Sequence, residues 1–133
     1  MSLLQEISEV MQSGNAPRVR ELVTQGIEEG VGADALLEAL IGGMNVIGVK
    51  FKNNEVFVPE VLVAARAMNA GMDILKPLLE QSGVKPIGKV IIGTVMGDMH
   101  DIGKNLVRMM MVGAGLEVVD LGTDVKPDAF VSA

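Results

Sequence analysis

The one histidine of the chain, His100, sits in the string VMGDMHDIGKN between Val95 and Asn105. Asp98 and Asp101 lie beside it, and Gly97 and Gly103 bracket the group. A neutral imidazole is a good ligand for a transition metal. Its second nitrogen usually donates to a carboxylate, which fixes the ring and raises its basicity. Asp98, two residues earlier on an irregular loop, can serve as that carboxylate. Gly103 lets a ligand approach the backbone at the start of a helix, an end that also favours anionic groups such as phosphate. The same residue types fit plainer readings. A histidine beside an aspartate is often a surface ion pair. A closed zinc site takes about four protein ligands. Asp98, His100 and Asp101 supply three, which leaves a divalent-metal hydrolase open. A glycine-flanked loop after a strand also suits a nucleotide, although GxGxxG and GxxxxGK[ST] are both absent. Residue types and spacing point to metal or cofactor binding and leave the metal open.

The surrounding pattern gives that loop its place. Residues 1–81 read as helices only. Leu3, Leu4, Ile7, Val10 and Met11 recur at helical spacing, with Gly14 as a stop. Asn15 caps a second helix with Pro17 in its first turn, an apolar face of Val19, Leu22, Val23 and Ile27, and Gly30 at its end. A third carries Leu36, Leu37, Leu40, Ile41, Met44 and Ile47 and runs to about Phe51, followed by the polar turn KNNEV. Pro59 opens a fourth, with Leu62, Ala65, Met68, Met72, Leu75 and Leu79 inward and a kink expected at Pro77. Four amphipathic helices with short connections predict a small antiparallel bundle.

Residues 82–88, SGVKPIG, break the helical period and read as a linker. Lys89–Val95 is a short β-branched run, expected as a buried strand of a parallel sheet. Gly103–Ala114 reads as a helix, Leu116–Leu121 as a second strand, and Pro127 opens another helix. The order β-α-β-α begins a doubly wound α/β domain, whose ligands bind beyond the carboxyl ends of the strands. His100 stands at that position. Two parallel strands do not make a stable open sheet alone. The expectation is therefore a longer polypeptide, with roughly two-thirds of an α/β domain beyond Ala133.

Composition narrows the classes. With 49% apolar residues in 133, a packed core is within reach. The net charge of −6, without a basic patch, argues against nucleic acid and anionic membrane as partners. No apolar run approaches the roughly 18 residues that span a bilayer. The N-terminus MSLLQEISEV lacks a signal-peptide pattern, so a cytoplasmic location is expected. The absence of cysteine excludes disulfides and thiolate metal sites.

Asp98-x-His100-x-x-Gly103 resembles the DxHxxG signature of B12-binding domains, and GDMHDIGKN is similar to the form found in methyltransferase-type members. Asp120-Leu121-Gly122 at the second strand end resembles the same family. The string GGMNVIGVKFKNNEVFVPEVLVAARAM resembles the four-helix cap that precedes this domain in methionine synthase and in stand-alone corrinoid proteins. The resemblance covers nearly the whole chain. B12-dependent mutases share the loop but lack this cap. It implies a helical cap (1–81), a linker (82–88) and the beginning of a flavodoxin-like cobalamin-binding domain (89–133). It implies His100 as the axial ligand to cobalt, displacing the cofactor's own base (base-off, His-on), with Asp98 on the other imidazole nitrogen. Gly103 would make room for the nucleotide tail. Thr94, Gly97, Met99, Asp101 and Ile102 are the other expected loop contacts. Phe51, Phe57, Val58 and Val61 would cover the upper face of the corrin, where an apolar lid excludes water. Further tail-pocket residues of the family lie on later strands that this sequence does not include.

The implied cofactor is cobalamin or a related corrinoid, methylcobalamin when loaded. The implied function is a methyl carrier without turnover of its own. It would pass a methyl group from a substrate-specific methyltransferase to an acceptor methyltransferase using tetrahydrofolate or a thiol, with a reductive activase as a further partner. A chain that begins with the cap fits a separate small corrinoid protein, with methoxyaromatic, methanol, methylamine and betaine systems all open. A B12-sensing regulator is the alternative. It would ordinarily add a basic DNA-binding module, and light-sensing versions place a tryptophan in the cap; neither feature is present here.

Overall fold

Ser2 starts the first helix. Its hydroxyl accepts from the Gln5 amide at 3.2 Å, and the Gln5 side chain accepts from the Ser2 amide at 3.1 Å. This reciprocal cap satisfies two of the donors a helix start leaves open. The computed structural model describes residues 2–82 and 87–133, excepting the side chains of Ser82, Ile102 and Leu106. The expected linker thus lies mostly outside the described residues. The chain divides into two compact units, Met1–Lys85 and Pro86–Ala133.

The first unit contains α1 (Leu3–Gln12), α2 (Ala16–Glu28), α3 (Ala33–Lys52) and α4 (Val58–Ser82). Asn15 caps α2 by accepting from the Arg18 amide at 3.2 Å. Gly14, between α1 and α2, has φ +78°, and a Cβ there would lie 1.9 Å from Val63 Cγ1. Only glycine meets both demands. Asn54 takes φ +61° in the turn between α3 and α4, a conformation that asparagine tolerates. α4 continues through Pro77 as one element, so the proline does not end the helix. Helix α1 packs on α3, and both α2 and α3 pack on α4. Ile7, Met11, Leu22, Leu36, Leu40 and Met68 are fully buried between them. Burial of that kind stabilises by about 1.5–3 kcal/mol per large aliphatic side chain.

The second unit contains β1 (Lys89–Ile92), α5 (Ile102–Gly113), β2 (Glu117–Asp120) and α6 (Pro127–Ser132). The strands pair in parallel, from Lys89 opposite Glu117 to Ile92 opposite Asp120, with one more bridge between Val95 and Val125. The first strand is shorter than the expected Lys89–Val95. At Gly122 the backbone turns to φ +90°, so the regular ladder stops at Asp120. The Thr94 amide still donates to the Gly122 carbonyl, and the Val125 amide to the Thr94 carbonyl, each at 2.8 Å. Contrary to the expectation of a buried strand, Val90, Ile91, Ile92, Val118 and Val119 are only half-buried. The reason is the two-strand sheet: each described strand has one partner and one open edge.

Candidate cofactor-binding loop with an outward imidazole

Residues 93–101 connect β1 to α5 and carry the chemistry. Thr94 is buried, and its hydroxyl donates to the His100 carbonyl at 2.6 Å. A buried polar group is thereby satisfied and the far end of the loop is tied to the strand end. Gly97 has φ +86°, which reverses the chain before Asp98. The Asp98 amide donates to the Val95 carbonyl at 3.0 Å, closing this turn.

Asp98 Oδ1 accepts twice from His100: from its backbone amide at 2.9 Å and in contact with ring atom Nδ1. Donation from the His100 backbone amide, followed by that from the ring, holds the Asp98 carboxyl below its ordinary titration range. A carboxylate is an acceptor only, so this contact suits the tautomer protonated at Nδ1, which leaves Nε2 as the nitrogen turned away from Asp98. The His100 side chain is 96% exposed, leaving Nε2 accessible to a ligand. This donor set would offer a single nitrogen to a metal that brings its other ligands with it.

The backbone at the start of α5 is open on one side. No described atom lies within 4 Å of where a Cβ on Gly103 would sit. Intramolecular crowding therefore does not require glycine there. Met99 is exposed. The Ile102 side chain is outside the described residues.

Asp101 faces Lys104 Nζ at 3.0 Å and accepts from the Asn105 amide side chain at 3.1 Å. No group of three His, Cys, Asp or Glu side chains among the described residues is arranged to hold a metal ion. The hydrolase reading, which needed Asp98, His100 and Asp101 together, is corrected by this arrangement. Asp101 is paired instead with Lys104 and Asn105.

Sequence reasoning passed over Lys104 and Asp124 and gave Asp120 no role. The Lys104 side chain is only 8% exposed and donates to both Asp120 oxygens, at 2.8 and 2.7 Å. That contact holds Asp120 below its ordinary range and, in return, raises Lys104. The Arg108 guanidinium lies 3.5 Å from the same carboxylate. The Asp124 carboxylate accepts from the Gly97 amide at 2.8 Å. These contacts lock the start of α5 and the His100 loop to the end of β2. The three-residue spacing of Asp101 and Lys104 was a usable local signal for their own pairing. No local signal marks the pairing of Gly97 with Asp124.

The four expected cover residues belong to the helical unit. Phe51, Phe57 and Val58 are exposed there, Phe57 most of all at 62%. Val61 is fully buried in the bundle core, so its side chain serves packing.

A family model described as a B12 binding domain matches residues 3–76, and a second one matches residues 88–133. The chain belongs to the B12-binding family. A corrinoid protein of Desulfitobacterium hafniense strain Y51 is 39% identical over 136 residues, covering 99% of this chain and 63% of that protein. Trimethylamine corrinoid protein 1 of Methanosarcina mazei is 42% identical over 114 residues, covering 84% of this chain and 53% of its own length. Among solved structures, a chain of the methanol:cobalamin methyltransferase complex from Methanosarcina barkeri superposes with a TM-score of 0.85 at 35% identity. That match covers 98% of this chain and 50% of the other. The chain thus spans between half and two-thirds of the length of these relatives. Its architecture is a helical cap followed by a B12-binding α/β domain, and its cofactor is a cobalamin or related corrinoid. No helix among the described residues is long and apolar enough to cross a membrane.

Proposed function

We propose that this B12-binding chain is the cap and cobalt-ligating region of a corrinoid methyl carrier, with His100 Nε2 as the axial ligand in base-off, His-on form. The observation that carries the reading is the Asp98–His100 pair. Asp98 holds the Nδ1 proton and aims an exposed ring outward from the end of a parallel strand. When bound, the corrinoid supplies a cobalt that takes up and releases a methyl group. The chain's own residues do the rest. His100 donates the lone pair, Asp98 and Thr94 hold its ring and backbone, and Gly103 clears space for the nucleotide tail. Phe51, Phe57 and Val58 give the helical unit an apolar surface suited to excluding water from the reacting face.

The carrier would exchange its methyl group between a substrate-specific methyltransferase and an acceptor methyltransferase that delivers it to tetrahydrofolate or a thiol, with a reductive activase restoring reduced cobalt. The relatives named for trimethylamine and for methanol support the methyltransferase setting. The working boundaries are a helical cap at 1–81, a linker at 82–88 and a cobalamin-binding segment at 89–133. Titrating the chain and His100→Ala with hydroxocobalamin tests the ligand. The visible spectrum of the variant is expected to lose the imidazole-ligated form. An identical spectrum in both proteins would overturn the assignment.

A further inference from the structure

Asp124 is one of two non-glycine residues with positive φ among the described residues, at +53°. That region is disfavoured for a residue with a Cβ, though aspartate tolerates it better than most. The conformation brings two of its groups to the His100 loop at once. Its carboxylate accepts from the Gly97 amide at 2.8 Å, and its own amide donates to the Asp98 carbonyl at 3.0 Å. The two bonds grip residues 97 and 98 from both sides of their shared peptide. The next residue, Val125, is buried and bonded to Thr94, so the grip is anchored to the strand end. Asp98 in turn holds both the backbone amide and the ring of His100. A displacement of Asp98 therefore turns the imidazole.

We infer that Asp124 is a positioning residue for the cobalt ligand: it fixes Gly97 and Asp98, and through Asp98 it sets the tautomer and direction of the His100 ring. The inference rests on the reading of His100 as the axial ligand. Asp124→Gly keeps the left-handed backbone and its amide donor but removes the carboxylate. Asp124→Asn keeps the backbone, the amide and an acceptor oxygen. His100 is the chain's one histidine, so its ring nitrogens give unambiguous NMR signals in the 133-residue chain without cofactor.

The wild-type chain and Asp124→Asn are expected to hold the Nδ1-protonated tautomer. Asp124→Gly is expected to lose it for the mixture of a free imidazole. Its binding of hydroxocobalamin should weaken about tenfold, with part of the imidazole-ligated spectrum lost, as for other partners that orient a metal ligand. A wild-type tautomer in Asp124→Gly overturns the inference, even if the variant melts earlier, because the role would then be structural only. Should the glycine variant not fold, Asp124→Ser, which shortens the acceptor, is read in the same way. If His100→Ala leaves the cobalamin spectrum unchanged, the ligand reading fails. The cofactor-free tautomer still decides whether Asp124 sets the ring.

Discussion

The bundle buries Leu36 and Leu40 completely, whereas Val90 and Val118, the paired residues of the small sheet, stay half-exposed. Among the described large hydrophobic side chains of the second unit, only Val125 is buried. Yet that sparsely packed unit carries the chemistry, and hydrogen bonds and ion pairs hold its loop in place. Thr94, Asp124 and Lys104 each tie a different point of the His100 loop or its helix to a strand end. The contrast teaches that packing secures the helical half and polar contacts secure the site. Burial energy is insensitive to direction. A metal ligand must be aimed, and hydrogen bonds supply that direction.

Truncation of the cores should give the largest split between the two regions. Leu36→Ala is expected to cost about 2–5 kcal/mol in denaturant unfolding of the bundle. Val118→Ala should cost about 1 kcal/mol in its own unit. Equal losses would break the comparison.

The site itself should show the converse. Asp98→Asn keeps the size of the side chain but puts an amide where Nδ1–H needs a carboxylate. Hydroxocobalamin affinity is expected to fall about 10–100-fold. Titration by absorbance checks this, and unchanged affinity would mean that Asp98 does not orient the ligand. His100→Ala removes a side chain that is 96% exposed, so stability should move by no more than about 0.5 kcal/mol while the imidazole-ligated spectrum disappears. A large loss of stability would make His100 a structural residue.

The smallest effect concerns pH. Asp120 has its carboxyl depressed by Lys104, so its contribution is complete above the ordinary aspartate value of about 3.9 and fades as pH falls through the depressed value. Lys104 is raised by Asp120, so its contribution is complete below about 10.4 and fades as pH rises through the raised value. The melting temperature of the second unit should therefore be flat with respect to this pair across the neutral range. Replacing Lys104 by Met should flatten its acid limb. A circular-dichroism melt series from acid to neutral pH reads that slope, and an unaltered limb would remove the pair from the account.

Much of the fold was legible because its signals are local. Asn15 and Pro127 mark helix starts, and the observed helix ends fall within a residue or two of those expected from periodicity. The Asp98–His100 contact was legible for the same reason, as the two residues stand two apart on one turn. The strand burial was misread. A run such as KVII specifies a strand, but how far it is buried depends on the number of its neighbours. Val61 was expected only through the family resemblance, as a cover residue, and its position between packed helices placed it in the core instead.

The amino-acid sequence by itself determined the helices, the strand segments, the imidazole and its orienting carboxylate, because each depends on neighbours within one turn of chain. Tertiary structure decided that Asp120 anchors the start of α5 through Lys104 and that Asp124 grips the loop ahead of His100. The physical reason is the parallel pairing of β1 with β2. It brings together loops separated by 16 to 27 residues, at distances that no local spacing encodes.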